Sequence, residues 1–125
     1  MDNHNLTIKI ISGFYFIILT WLLLRPSAGK GFEFLGITYN DKINHTVAFL
    51  GLSLLGSISS FPAKNPFICV IFFTLYGVLT EFLQGYMSIG RTFEFLDILA
   101  DFTGCVIGVI LAEFIMKKLN RSSDN

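Results

Sequence analysis

Eight side chains with acid, base or hydrogen-bonding chemistry stand at the edges of strongly apolar segments in this sequence. They are Asp41, Lys42, His45, Glu81, Gln84, Arg91, Asp97 and Asp101. Ionisable groups at bilayer depth are costly, so they mark either a functional site or a network of groups that pair internally. Spacings of three or four residues put neighbouring members of the set on one face of a helix. We therefore predict that these side chains share one polar pocket.

Three kinds of chemistry suit such a pocket. Arg91 and Lys42 can bind a phosphate or carboxylate of a ligand. His45 and Glu81 can act as acid and base, or His45 can join the carboxylates around a divalent metal. Alternatively, the charges only pair with each other and tie helices together. The sequence has no GxSxG, HExxH or P-loop motif, which favours binding over catalysis, and we predict neither a metal nor a cofactor.

The composition indicates a membrane protein. Of 125 residues, 53% are hydrophobic and 14% are charged, and the mean hydropathy is +0.65. Soluble domains carry about 25% charged residues. The formal net charge is zero, which argues against the basic surface that nucleic-acid binding requires. We predict a single all-α domain, residues 1–125, embedded in a lipid bilayer.

Four apolar segments predict a bundle of four transmembrane helices, over residues 8–24, 43–61, 67–83 and 95–116. Each has close to the ~20 residues that cross ~30 Å of hydrocarbon. With four spans, both termini lie on one side. The start of the second helix, the end of the third and the start of the fourth then meet at the opposite side, which brings the polar groups together.

The distribution of basic residues predicts the orientation. The terminal side carries Lys9, Lys64, Lys117, Lys118 and Arg121. The other side keeps only Arg25 and Lys30 once Lys42 and Arg91 are assigned to the pocket. Because cytoplasmic loops are enriched in Lys and Arg, we expect the termini in the cytoplasm.

Small residues continue the polar faces of two helices. Gly104 and Gly108 extend the face that carries Asp101, and Gly77 precedes Glu81 by one turn. Small residues let helices approach closely in lipid. We predict that these three glycines pack inside the bundle, while the Gly104-xxx-Gly108 step would also suit a homo-oligomer contact.

Three ordered motifs resemble the VanZ-like family. They are Asp41-Lys42-Ile43-Asn44-His45 followed by Phe49, Gly77 with Glu81 and Gln84, and Gly90-Arg91 followed by Leu96-Asp97-Ile98-Leu99-Ala100 and Gly104. The resemblance implies about four membrane helices in a bacterial inner membrane, no assigned biochemical activity, and a link to low-level resistance to the glycopeptide teicoplanin. Asp101 departs from the family, which usually has Asn there, and adds a negative charge to the pocket.

The residues and the resemblance together predict a cell-envelope protein that binds the polar headgroup of a lipid or a cell-wall precursor. Two alternatives stay open. One is a membrane enzyme acting on a lipid-linked substrate with acid/base or metal chemistry. The other is a structural membrane protein whose polar cluster only holds the helices together.

Overall fold

The computed structural model describes residues 3–25, 41–87 and 93–123. Within these ranges the chain forms four α-helices and no strand. The helices are α1 Asn3–Leu24, α2 Asp41–Ile58, α3 Pro66–Tyr86 and α4 Phe95–Ser123. The predicted all-α fold with four helices is confirmed, and α4 continues seven residues beyond the predicted end at residue 116.

Three of the described helices are long and apolar enough to cross a membrane: α1 over Asn5–Leu24, α3 and α4. The prediction of four such helices is therefore wrong for α2. Its first turns carry Asp41, Lys42, Asn44 and His45, which lower the hydropathy of a helix only 18 residues long. Three apolar helices are consistent with an integral membrane protein, and α2 is the shorter helix that begins with polar residues.

Local sequence explains where α3 begins. Asn65 has extended backbone angles, and its side chain accepts a hydrogen bond from the backbone N–H of Phe67 at 2.9 Å. Pro66 follows at the first helical position, where its missing N–H costs nothing and its fixed φ suits a helix. Helix α3 therefore begins one residue before the predicted span over residues 67–83 and ends three residues after it.

Apolar side chains cover the outside of the three long helices. Exposed examples are Phe14, Ile17 and Trp21 on α1, Phe67, Ile71 and Leu75 on α3, and Ile110 and Phe114 on α4. The buried core consists of Leu19, Leu23, Phe49, Leu52, Cys69, Phe73, Cys105 and Val109. An apolar exterior around an apolar core is the arrangement that a lipid environment allows, because lipid does not penalise exposed hydrocarbon.

Helix α1 is joined to its neighbours by hydrogen bonds as well as by packing. The hydroxyls of Ser12 and Tyr15 donate to backbone carbonyls of α2, and the Tyr15 bond to Ala48 is 2.8 Å long. The Thr20 and Tyr76 hydroxyls lie 2.6 Å apart between α1 and α3. These bonds fix the rotation of α1 about its axis, so that its Leu19 faces the core.

Helices α2 and α4 make the closest contact in the bundle. A Cβ placed on Gly104 would lie 3.0 Å from the backbone nitrogen of Leu50 and closer still to the carbonyl oxygen of Thr46. A Cβ on Gly108 would likewise meet the backbone of Leu50 and Leu54. The two glycines therefore pack against α2 of the same chain, backbone against backbone.

Replacing Gly104 with alanine should separate α2 from α4, because the added methyl group meets backbone and cannot be relieved by a side-chain rotation. Overpacking of this kind costs about 1–3 kcal/mol, which thermal unfolding in detergent would detect as a lower midpoint. Gly13→Ala is the matched control, since nothing lies within 4 Å of that position, and it should be neutral or slightly stabilising. Equal midpoints for the two variants would contradict the close contact.

Candidate functional site

The four helices meet at one end of the bundle. Gln84, near the end of α3, donates through Nε2 to the carbonyl oxygen of Leu23 at the end of α1, at 2.7 Å. His45 in α2 lies 2.8 Å from Asp101 in α4. At this end six ionisable side chains form what we call the polar cluster: Lys42, His45, Glu81, Glu94, Asp97 and Asp101.

His45 lies at the centre of the polar cluster. Its Nδ1 is 2.8 Å from Oδ1 of Asp101. Its Nε2 is 3.8 Å from Oε1 of Glu81 and 3.9 Å from Oδ2 of Asp97, beyond the length of a hydrogen bond. His45 is 3% exposed, and Glu81 and Asp101 are fully buried. Each ring nitrogen thus faces carboxylate oxygen, and the ring is almost completely buried.

Lys42 neutralises the outer part of the cluster. Its ammonium contacts Glu94 and lies 2.9 Å from Oδ1 of Asp97. The lysine and Glu94 are partly exposed, at 32% and 47%, so they form the rim. Lys42 precedes the predicted span at residues 43–61, and the carboxylates of Glu94 and then Asp97 raise its pKa. The lysine therefore stays charged and is already engaged by two acids.

Three buried carboxylate oxygens of the cluster make no hydrogen bond to any described residue. One is Oδ1 of Asp97, which forms an ion pair with the Lys42 ammonium at 2.9 Å. The other two, Oε1 of Glu81 and Oδ2 of Asp101, lie deeper in the cluster. The second oxygen of Glu81 accepts from the backbone N–H of Glu94 at 3.3 Å. Asp101 fits because Gly77 has no side chain, since a Cβ there would lie 2.6 Å from Oδ2. Buried ionised oxygens without a donor are costly, so this part of the cluster calls for a proton, a cation or a ligand that donates hydrogen bonds.

The structure brings together most of the predicted site. Lys42, His45, Glu81, Asp97 and Asp101 all lie in the polar cluster. Gln84 lies at the same end but bonds to the backbone of α1 instead. The side chain of Asp41 and the whole of Arg91 fall outside the described residues.

Sequence reasoning missed Glu94, which it assigned to a connection. Its backbone carbonyl accepts the N–H of Asp97 at 3.1 Å, so it forms the turn that starts α4. Glu94 and Asp97 are three residues apart at the start of a helix, a spacing that puts both carboxylates on one face. This spacing was the signal in the sequence that could have identified Glu94. With Glu94 included, four carboxylates in the cluster face one lysine ammonium and one imidazole.

Removing the lysine charge should destabilise the bundle through Asp97. Lys42→Met leaves a buried carboxylate unpaired, and we expect a loss of about 1–2 kcal/mol, between the values for exposed and buried ion pairs. Combining it with Asp97→Asn should restore part of that loss in a double-mutant cycle of unfolding midpoints. Lys117→Met, at an exposed position of α4, is the control. Strictly additive effects of the two cluster substitutions would show that the pair makes no energetic contribution.

Comparisons with known proteins leave the family of the chain undetermined. No protein-family model, no curated protein and no solved structure matches it. The resemblance to the VanZ-like family therefore stays a prediction that rests on the three motifs of the sequence.

Proposed function

We propose that this chain is an integral protein of the bacterial inner membrane that binds the polar headgroup of a lipid or of a lipid-linked cell-wall precursor. The observation that carries the proposal is the gradient of exposure in the polar cluster. Lys42 and Glu94 form a partly exposed rim, and beneath them lie the fully buried carboxyl groups of Glu81 and Asp101. A ligand arriving from the membrane surface would meet charged groups first and hydrogen-bond acceptors below.

The depth of the cluster supports a headgroup as the ligand. Asp101 stands six residues after the start of α4, which corresponds to about 9 Å along the helix axis. The polar region of a bilayer occupies roughly 5–7 Å on each side of the hydrocarbon. The cluster therefore extends from headgroup level to just inside the hydrocarbon, if α4 begins at the membrane surface. The start of α4 lies on the opposite side of the membrane from the C-terminus. With the termini in the cytoplasm, the polar cluster therefore lies at the outer surface of the membrane.

The polar cluster offers more hydrogen-bond acceptors than donors. This imbalance indicates which chemical groups of a headgroup would enter the cluster. Acceptors dominate the cluster, and its described lysine is occupied by Glu94 and Asp97. Hydroxyl or ammonium groups of a headgroup would supply the missing donors. Arg91 lies outside the described residues, and its predicted role is to contact a phosphate of the ligand.

One observation favours a membrane enzyme as the second candidate. The 2.8 Å contact between His45 and Asp101 is the geometry of an imidazole oriented by a carboxylate. However, Nε2 faces Glu81 and Asp97, and no described serine, threonine or cysteine bonds to the ring. Acid/base chemistry would then pass between His45 and Glu81, on a substrate that reaches the buried end of the cluster.

The test compares bound lipid and teicoplanin tolerance in cells carrying wild type, Glu81→Gln or Asp97→Asn. We expect several-fold less lipid on the purified variants by mass spectrometry, and lower tolerance in growth assays, at equal membrane abundance. Both variants remove a charge from the cluster while keeping the size of the side chain. Glu113→Gln is the matched control, because it lies about 18 Å further along α4 from Asp101.

Two results would speak against headgroup binding. Unchanged lipid content and growth at normal abundance would mean that the cluster serves no ligand. Loss of folded protein in both variants would favour the structural alternative, in which His45–Asp101 and Lys42–Asp97 only hold α2 against α4.

A further inference from the structure

We propose that His45, Glu81 and Asp101 bind a divalent transition-metal ion at the buried end of the polar cluster. Such an ion would be a resident part of the protein, so this inference goes beyond headgroup binding and does not depend on it. The sequence alone led us to expect no metal. The arrangement of side chains from three different helices is what changes that expectation.

The distances suit one ion. One candidate ligand atom from each of the three residues can be chosen so that all of them lie within 4.8 Å of one another. Atoms bound to one ion at about 2.0–2.2 Å can lie no more than about 4.4 Å apart. The three side chains would therefore have to move closer together, through changes in their side-chain torsions, to share one ion.

The two deeper oxygens without hydrogen bonds give an independent reason for a ligand. Oε1 of Glu81 and Oδ2 of Asp101 belong to fully buried side chains and lack a donor within the described structure. Oε1 is also the oxygen that faces the His45 ring, at 3.8 Å. A cation bound by both carboxylates would offset the charge that these buried groups carry.

The groups around the three residues are those that a metal site uses to orient its ligands. Glu81 is held through its other oxygen by the Glu94 backbone N–H. If Nδ1 of His45 binds the ion beside Asp101, Nε2 faces Oδ2 of Asp97 at 3.9 Å, and Asp97 is not one of the three proposed ligands. Carboxylates in that position fix the tautomer and raise the basicity of a metal-bound imidazole.

Charge and donor type narrow the choice of ion. The negative charges of Glu81 and Asp101 balance a divalent cation, so a buried site with neutral His45 would carry no net charge. Mg²⁺ and Ca²⁺ prefer ligand sets made only of oxygen. One imidazole with two carboxylates suits Zn²⁺, Mn²⁺ or Fe²⁺ better. The ion would also lie deeper in the bundle than the partly exposed Lys42 and Glu94.

The competing explanation is that protons, and not a metal, occupy the cluster. A protonated carboxyl group can donate one hydrogen bond to a neighbouring oxygen. Glutamine and asparagine have nearly the same shape as neutral Glu and Asp, so a protonated network should tolerate Glu81→Gln and Asp101→Asn. A metal site should not, because an amide is a far weaker ligand than a carboxylate.

The experiment measures metal in full-length protein purified in detergent, without chelators and with an affinity tag that contains no histidine. Elemental analysis should find about one Zn, Mn or Fe per chain. Treatment with EDTA should remove it and lower the unfolding temperature, and added Zn²⁺ or Mn²⁺ should restore that temperature while Mg²⁺ should not. Glu81→Gln and Asp101→Asn should each bind the restoring ion at least tenfold more weakly, with Glu113→Gln as the control.

Three results would overturn the metal site. The first is wild-type protein with far less than one ion per chain and no thermal shift with Zn²⁺, Mn²⁺ or Fe²⁺. The second is full metal content in both variants, which would place the ion elsewhere. The third is unchanged stability after the metal is removed.

Lipid bound to the same wild-type sample is measured in parallel, so that headgroup binding can survive or fail separately from metal binding. If a variant does not fold, the wild-type measurements still decide.

Discussion

The backbone contact between α2 and α4 is the interaction on which the rest of the structure depends. Gly104 and Gly108 let the backbone of α4 touch that of α2 around Leu50. In lipid, where burying hydrocarbon gives no advantage, such close van der Waals contact holds helices together. The same contact sets the rotation and height of α2 relative to α4, and so it places His45 beside Asp101.

That placement explains how a helix with a polar first turn can belong to an otherwise apolar bundle. Helix α2 is shielded by its neighbours: α4 packs against it around Leu50 and Ser53, and Ser12 and Tyr15 of α1 bond to its carbonyls. A helix inside the bundle does not need the apolar surface of a helix that faces lipid. This is why α2 falls short of the hydropathy of the other three helices while lying among them.

The cluster is electrostatically uneven, and this unevenness is its most informative property. Lys42 compensates Asp97 and Glu94 at the rim. No described cation compensates Glu81 and Asp101 in the interior, where only His45 is near enough to share a charge. A network that served only to tie helices would be expected to satisfy its buried oxygens, because unsatisfied buried groups reduce stability. The incomplete pairing is the observation on which both binding proposals rest.

The sequence by itself determined the helical class, the number of helices and the end of the bundle where the charges gather. The length of each apolar segment and the alternating direction of four consecutive helices follow from the order of residues and need no tertiary contact. Only the tertiary structure decided which groups pair: Gln84 with the Leu23 carbonyl, His45 with Asp101, and Lys42 with Glu94. Spacing along one helix tells which residues share a face. The partner across the gap depends on how far each helix is rotated about its axis, which is set by contacts such as those of Gly104 with α2.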